Sequence, residues 1–231
     1  MPSNVNPIEL SDTEKQILEY VRPYTMTSPE RVLAVVRAID FIVNNQVPGD
    51  IVECGVWKGG SAMAAALKLI ALKDQSRVLH LYDTFEGMNQ PTVDDLDVYG
   101  RNADSLLNGD DKQLAELVKA EVNLAAVQQN IGKTNYPAHL VNYVKGEVES
   151  TLPKQQPEEI ALLRLDTDWY ESTKLELELL YPKVVPNGIV IIDDYGHWQG
   201  AKKAVDEYIA SLDDKIHLMR IDYTGVMFQK R

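Results

Sequence analysis

Two runs of apolar, β-branched residues stop abruptly at aspartates. Ile160–Leu165 leads into Asp166-Thr167-Asp168, and the run Gly188-Ile189-Val190-Ile191-Ile192 leads into Asp193-Asp194. Runs of this kind predict buried parallel strands, because a strand covered on both faces loses its polar alternation. Similar strands are predicted over residues 51–55, 77–83 and 139–145. Between them lie helical periodicities. Ser28-Pro29 is a helix start, with Ser as N-cap and Pro at the first helical position, and opens RVLAVVRAIDFIVNN. Gly59-Gly60-Ser61 opens an Ala-rich helix over residues 62–73. Further helices are predicted over 114–130, 171–181 and 201–212, with a turn at 182–188. Two closing strands, 215–222 and 226–230, flank Tyr223-Thr224-Gly225 as a hairpin. The alternation predicts an α/β fold: a doubly wound sheet, mostly parallel, with an antiparallel closing strand.

Two segments break the rhythm. Residues 1–27 are polar with a short predicted helix near 11–21, and are expected to form an N-terminal arm rather than core. The region 84–113 is rich in Gly, Asn and Asp. A stretch of that length without elements suggests a lid, here placed at 86–113, that closes over a ligand. Its Asp94-Asp95 pair reads as solvated surface and caps. Residues 28–231 then form one domain, which 231 residues at 45% hydrophobic content can core.

The net charge of −12 argues against nucleic acid or an anionic membrane as partner. No apolar run reaches the length of a membrane span, and the first residues lack the basic and apolar regions of a signal peptide. The single cysteine, Cys54, sits in a strand pattern and reads as packing; a cytoplasmic, reducing setting is the expected location.

The ligand site of an open parallel sheet lies beyond the carboxyl ends of its strands. Asp166, Asp168, Asp193 and Asp194 are therefore expected at one mouth. Carboxylates so close repel unless a hard divalent cation neutralises them, and magnesium suits oxygen ligands. The turn Glu53-Cys54-Gly55-Val56-Trp57-Lys58-Gly59-Gly60-Ser61 is neither a dinucleotide glycine motif nor a P-loop. A pyrophosphate is disfavoured beside Glu53, whereas the cationic sulfonium and ammonium of S-adenosylmethionine are not. Asp83, at the end of the second strand, is a candidate for the ribose hydroxyls. Glu53, Gly55 and Ser61 are candidates for the methionine end, although Glu53 can also pair with Lys58 at the surface. Gly146 and Glu147 follow the third strand and are further candidates for the cofactor. Trp169, Tyr170 and Trp198 are candidates for an acceptor wall, with Tyr99 and Arg101 in the long loop; Trp57 and Phe85 can pack on the cofactor.

Taken in order, VECGVWKGGS, LYDTFEGM, LLRLDTDWYEST and IIDDYGHWQGAKKAVDEY resemble the macrocin O-methyltransferase family over roughly residues 28 to 231. The resemblance implies the class I methyltransferase fold, S-adenosylmethionine and magnesium, and a hydroxyl on a sugar of a natural product as acceptor. It assigns Asp166, Asp193 and Asp194 as metal ligands and Asp168 as general base. His197, which follows the metal pair in sequence, is a further catalytic candidate that can act as acid or base, orient the acceptor hydroxyl or cap the next helix. The resemblance leaves the oligomeric state open, with a homo-oligomer as one option, since family members are often dimers or larger with N-terminal arms exchanging contacts. Three rivals remain at this point. Asp166-Thr167-Asp168 has the form that holds a metal and a sugar nucleotide in glycosyltransferases. Catechol-type O-methyltransferases share the metal but carry an Asp-Asn pair where Asp193-Asp194 stands. The third is a binding protein without activity.

Overall fold

The apolar runs form the centre of a seven-stranded sheet. A computed structural model describes residues 10–92, 95–108 and 120–231. The strands are β1 (Asp50–Cys54), β2 (Leu79–Asp83), β3 (Val141–Lys145), β4 (Ile160–Leu165), β5 (Val184–Ile192), β6 (Met219–Arg220) and β7 (Val226–Gln229), in the order β3-β2-β1-β4-β5-β7-β6. The first five are parallel, and β7 joins β5 antiparallel with β6 outside it. The doubly wound, mostly parallel sheet with an antiparallel closing strand is thus present. Chain direction reverses outward from the β1–β4 pair, so a crevice opens beyond their carboxyl ends.

Helices cover both faces. On one side lie α1 (Asp12–Val21), α2 (Pro29–Asn44), α3 (Gly60–Ala71) and α5 (Leu124–Gly132), packed on Ile51, Leu79, Leu81, Leu162, Ile189 and Ile191. On the other lie α6 (Val148–Thr151), α7 (Tyr170–Leu180) and α8 (Gln199–Ser211), whose face takes Val52, Cys54, Leu163, Leu165, Val190 and Ile192. The pleat sends odd and even positions of each strand to opposite sides, a parity that decides where the site aspartates point.

Several expectations change. The helix near residue 11 forms with a Ser11–Glu14 capping box, but its Ile17 and Val21 are buried in the main core instead of lying on a free arm. The expected turn at 182–188 is a short 3₁₀ turn, Tyr181–Lys183, followed directly by β5, whose register against β4 slips between Ile160 and Leu162. Asn187 at φ +68 absorbs that irregularity, and its N–H bonds the Lys230 carbonyl at 2.8 Å. Of the long loop, residues 95–108 fold as a turn and a short helix α4 (Ala103–Leu107). Asp95 is no solvated residue: it is fully buried and its carboxylate takes the first-turn N–H of Tyr170 at 2.9 Å. The predicted helix 114–130 is seen from Leu124; its residues 114–119, with part of the expected lid, lie outside the described residues.

Candidate active site at the carboxyl edge of the sheet

A cleft of about 640 Å³ opens at the carboxyl ends of the parallel strands. Its walls include Glu53, Gly55, Ser61, Asp83, Gly146, Glu147, Asp166, Asp168, Asp193, Asp194 and His197, so the candidate cofactor, metal and proton-transfer residues meet at one place.

Register explains the assembly. Cys54 pairs with Leu165 and Leu165 with Ile192, so Gly55, Asp166 and Asp193 follow in one layer. The backbone continues the ladder one step past the strands: Asp166 N–H donates to Cys54 and Asp193 N–H to Leu165, each at 2.9 Å. Gly55 is at φ +80, and a Cβ there would stand 2.0 Å from the Asp166 carbonyl oxygen. Only glycine lets the two strand ends approach so closely. Asp83 closes the turn: Oδ2 accepts the N–H groups of Val56 and Trp57 at 2.7 and 3.1 Å, and Oδ1 that of Phe85 at 2.6 Å. Asp83 therefore braces the cofactor turn as well as facing the cleft. Phe85 is buried against Tyr143, away from the cleft, whereas Trp57 lines it.

Glu53 does not pair with Lys58. It is buried, and Arg164, directly opposite on β4, donates to it at 2.7 Å. Arg164 is 4% exposed and also lies 2.9 Å from Asp166 and 2.7 Å from Asp193. It was visible in the sequence only as the single charge inside an apolar strand. Parity turns Asp193 towards α2 as well. There Arg31 and Thr27 both donate to its Oδ2, Thr27 at 2.8 Å. Arg31 also donates to Asp222 at 3.0 Å, tying the β6–β7 turn to the site.

The remaining carboxylates gather separately. Ligand-capable oxygens of Asp166, Asp168 and Asp194 all lie within 4.8 Å of one another. Asp168 reaches the group because it adopts a left-handed backbone, φ +68, which Asp tolerates better than most residues. Burial, then the facing carboxylates, push Asp166 and Asp194 well above the carboxylate range, and hydrogen bonds link Asp194 to both neighbours. Burial and then Asp166 push Asp168 up to about 7. Glu53 also rises to about 7, by burial opposed by Arg164.

This pattern fits a divalent cation. Among the described residues seven carboxylates but only two guanidinium groups line the cleft. Arg164 and Arg31 answer Glu53 and Asp193, and Arg164 also pairs with Asp166, which leaves Asp168 and Asp194 without an ion pair among the described residues. The expected third ligand, Asp193, stands outside the Asp166–Asp168–Asp194 cluster, drawn to the arginines. Its Oδ1 is buried 2.7 Å from Arg164, in an ion pair without good hydrogen-bond geometry. His197 is half-buried beside the pair, its pKa lowered by burial, so it is neutral at pH 7. Of the expected acceptor wall only Trp198 lines the cleft. Trp169 and Tyr170 are buried, Trp169 with Trp198, Ala103, Leu107 and Ala201 in a small core under the loop.

The raised carboxyls set a pH dependence. An unfolded chain gives up these protons near pH 4, whereas the folded, ion-free chain holds those of Glu53 and Asp168 until about 7. Folding therefore takes up protons across that window, and raising the pH through it costs stability. In chelator, Tm is expected to rise as pH falls from about 7.5 to about 6, and magnesium is expected to flatten the trend. A Tm constant or falling across that range would contradict the charge assignment. Glu14, lowered to about 2 by Arg37 and Ser11 despite burial, loses its contribution only below the window.

The sequence profile of the Macrocin-O-methyltransferase (TylF) family matches residues 19–230. The chain belongs to the macrocin O-methyltransferase family. It is 34% identical over 207 residues to the demethyldecarbamoylnovobiocin O-methyltransferase of Streptomyces niveus, covering 90% of this chain and 76% of that one. It is 30% identical over the same length to the mycinamicin III 3''-O-methyltransferase of Micromonospora griseorubida, covering 90% and 78%. The solved structure of the O-methyltransferase NovP superposes with a TM-score of 0.75 at 32% identity, covering 90% of this chain and 82% of that one. This macrocin O-methyltransferase family member is an S-adenosylmethionine-dependent O-methyltransferase with the class I fold. That sets aside the glycosyltransferase and non-enzymatic readings. The family profile begins inside α1, in keeping with the burial of that helix.

Proposed function

We propose that the enzyme transfers a methyl group from S-adenosylmethionine to a sugar hydroxyl of a natural product, with one divalent ion, magnesium by its ligand chemistry, at the aspartate cluster. The observation that carries the metal half is three carboxylates within 4.8 Å of one another, Asp168 and Asp194 among them without an ion pair, in a cleft whose two arginines are already engaged. The acceptor class is supported by relatives whose names specify sugar-bearing antibiotics, such as mycinamicin III.

Asp166 and Asp194 are assigned to the ion, with Asp193 as third ligand through Oδ1, which Arg164 also faces at 2.7 Å. When bound, the ion supplies a Lewis acid that makes a neighbouring hydroxyl more acidic. Asp168 is assigned as the base. It takes the hydroxyl proton as the oxygen attacks the methyl carbon; the new O–C bond replaces the S–C bond, leaving S-adenosylhomocysteine. Because this is an in-line displacement, much of the rate comes from holding the two partners in line. The Gly55–Ser61 turn, Gly146 and Glu147 form the cofactor side of the cleft, and the aspartates with His197 form the acceptor side. One observation favours a second arrangement: Asp168 lies within the cluster and Asp193 among the arginines, so Asp168 can be the third ligand and Asp193 an anchor.

Calorimetric titration is expected to give micromolar affinity for S-adenosylhomocysteine and no measurable binding of NAD. Methyl transfer is expected to stop in excess chelator and return with magnesium. Full activity in chelator would remove the metal from the mechanism, and tight NAD binding in place of S-adenosylhomocysteine would remove the cofactor.

A further inference from the structure

Behind the aspartates, on the α7 side of the sheet, lie two carboxyls that the reaction above does not use. Glu176 has no exposed surface. It occupies a core position of α7, beside Thr173, Leu177 and Leu180, where a leucine would pack without the cost of burying a carboxyl. Glu149, on α6, accepts the Ser172 hydroxyl at 2.6 Å. Ser172 and Glu176 stand one turn apart on the same face of α7. One oxygen of each carboxyl, Glu149 Oε2 and Glu176 Oε1, is buried without a hydrogen-bond partner. Among the described residues neither carboxyl has an ion pair, and Arg164 is held by Glu53, Asp166 and Asp193.

Two ionised carboxylates in such a place would both go unanswered. One proton answers both. A protonated carboxyl donates as well as accepts. A proton on Glu176 Oε1 supplies the donor that Glu149 Oε2 lacks, and it leaves Glu176 Oε2 as an acceptor. That oxygen takes the Thr167 hydroxyl at 3.1 Å, and the buried Cys54 thiol bonds the same carboxyl. Burial, against the pull of the Thr167 bond and with the charge of Glu149, raises the Glu176 carboxyl well above the carboxylate range.

Thr167 is where this acid meets the site. It stands between Asp166 and Asp168, and its carbonyl accepts the N–H of Trp169, the N-cap of α7, at 2.8 Å. Hydroxyl and carbonyl thus tie the turn to α7 at two points. Between the two ties Asp168 holds its left-handed φ of +68. Such a conformation persists only where its surroundings over-determine it. Without the Thr167 anchor the turn is free to relax and to carry the Asp168 carboxyl away from Asp166 and Asp194.

We propose that Glu176 is a neutral carboxylic acid, hydrogen-bonded to Glu149, that acts as the positioning residue for the Asp166-Thr167-Asp168 turn. The inference deepens the methyl-transfer reading above and rests on it only for the roles of Asp166 and Asp168.

Three variants of the full chain test it. Glu176→Gln keeps a donor and an acceptor, Glu176→Leu keeps only the packing, and Thr167→Val removes the other end of the bond. Infrared spectra with S-adenosylhomocysteine and magnesium added, at about pH 8 where ordinary carboxyls are ionised, should show a protonated-carboxyl band that Glu176→Gln lacks. Hydrogen exchange at the Trp169 amide should quicken in Glu176→Leu and Thr167→Val while β4 stays protected, and Glu176→Gln should match the wild type. Magnesium titrated into the S-adenosylhomocysteine-loaded chain should bind those two variants at least about tenfold more weakly, the scale for losing a group that orients metal ligands. Thr167→Val carries the test if Glu176→Leu does not fold. Absence of the difference band overturns the proposal, as does unchanged Trp169 exchange or undiminished magnesium affinity in Thr167→Val. So does an equal effect of Glu176→Gln, since the side chain would then act by its packing alone. A wild type that binds neither S-adenosylhomocysteine nor magnesium sinks the underlying reading instead, and the band and the exchange still decide this one.

Discussion

Asp168→Asn is expected to retain S-adenosylmethionine and magnesium affinity while losing roughly 10²–10⁴-fold in turnover, the usual span for removal of a general base. The substitution keeps the shape of the side chain and its left-handed backbone, which Asn also tolerates. What it removes is proton acceptance beside Asp166 and Asp194. Asp193→Asn is its counterpart. With Asp193 as third ligand, magnesium affinity should fall sharply and turnover should recover in part at high magnesium. If instead Asp168→Asn weakens magnesium binding and Asp193→Asn leaves it intact, Asp168 is the ligand and Asp193 the anchor. His197→Ala separates the remaining assignment: a large loss there, with Asp168→Asn nearly unaffected, would make His197 the base.

Arg164→Met is expected to be among the most damaging single changes to stability. It strips the counter-charge from Glu53, Asp166 and Asp193 at once, in a place with almost no access to water. Removing one partner of a buried ion network typically costs about 3–5 kcal/mol. Urea unfolding at neutral pH should show the loss. Because the orphaned groups are carboxylates, the deficit should shrink as pH falls towards 5 and they protonate. A double variant, Arg164→Met with Glu53→Gln, should recover part of it. A single variant as stable as the wild type would mean that the network carries little folding energy.

How much of this was legible in the sequence follows from chain separation. The uninterrupted runs ending in aspartates located the strands and the mouth, since strand ends and turn glycines are local signals. The Asp193 grouping was not legible. Its direction depends on the parity of β5 and on Arg31 and Thr27, which lie 162 and 166 residues away in sequence. Glu53 had a visible neighbour in Lys58, but only the β1–β4 register shows that Arg164 is opposite it. Pro186, Asn187 and Gly188 read as a turn because their composition is that of one; the sheet absorbs them as an irregular strand. Asp95 read as solvated, with Asp94, because acidic residues in a polar loop usually are; Asp97, two residues on, is buried as well. Burial here follows from the backbone N–H groups they satisfy.

The Arg31–Asp222 ion pair also has a kinetic meaning. It joins positions 191 residues apart, and Ser28 reaches the same carboxylate across 194. Contacts of such separation carry the full loop-closure entropy and form late. While that pair is open, Asp193 lacks its fence and the carboxylates at the mouth repel one another. Magnesium present during refolding should therefore bind before the native clamp is in place and speed the final phase, rather than merely stabilise the finished enzyme.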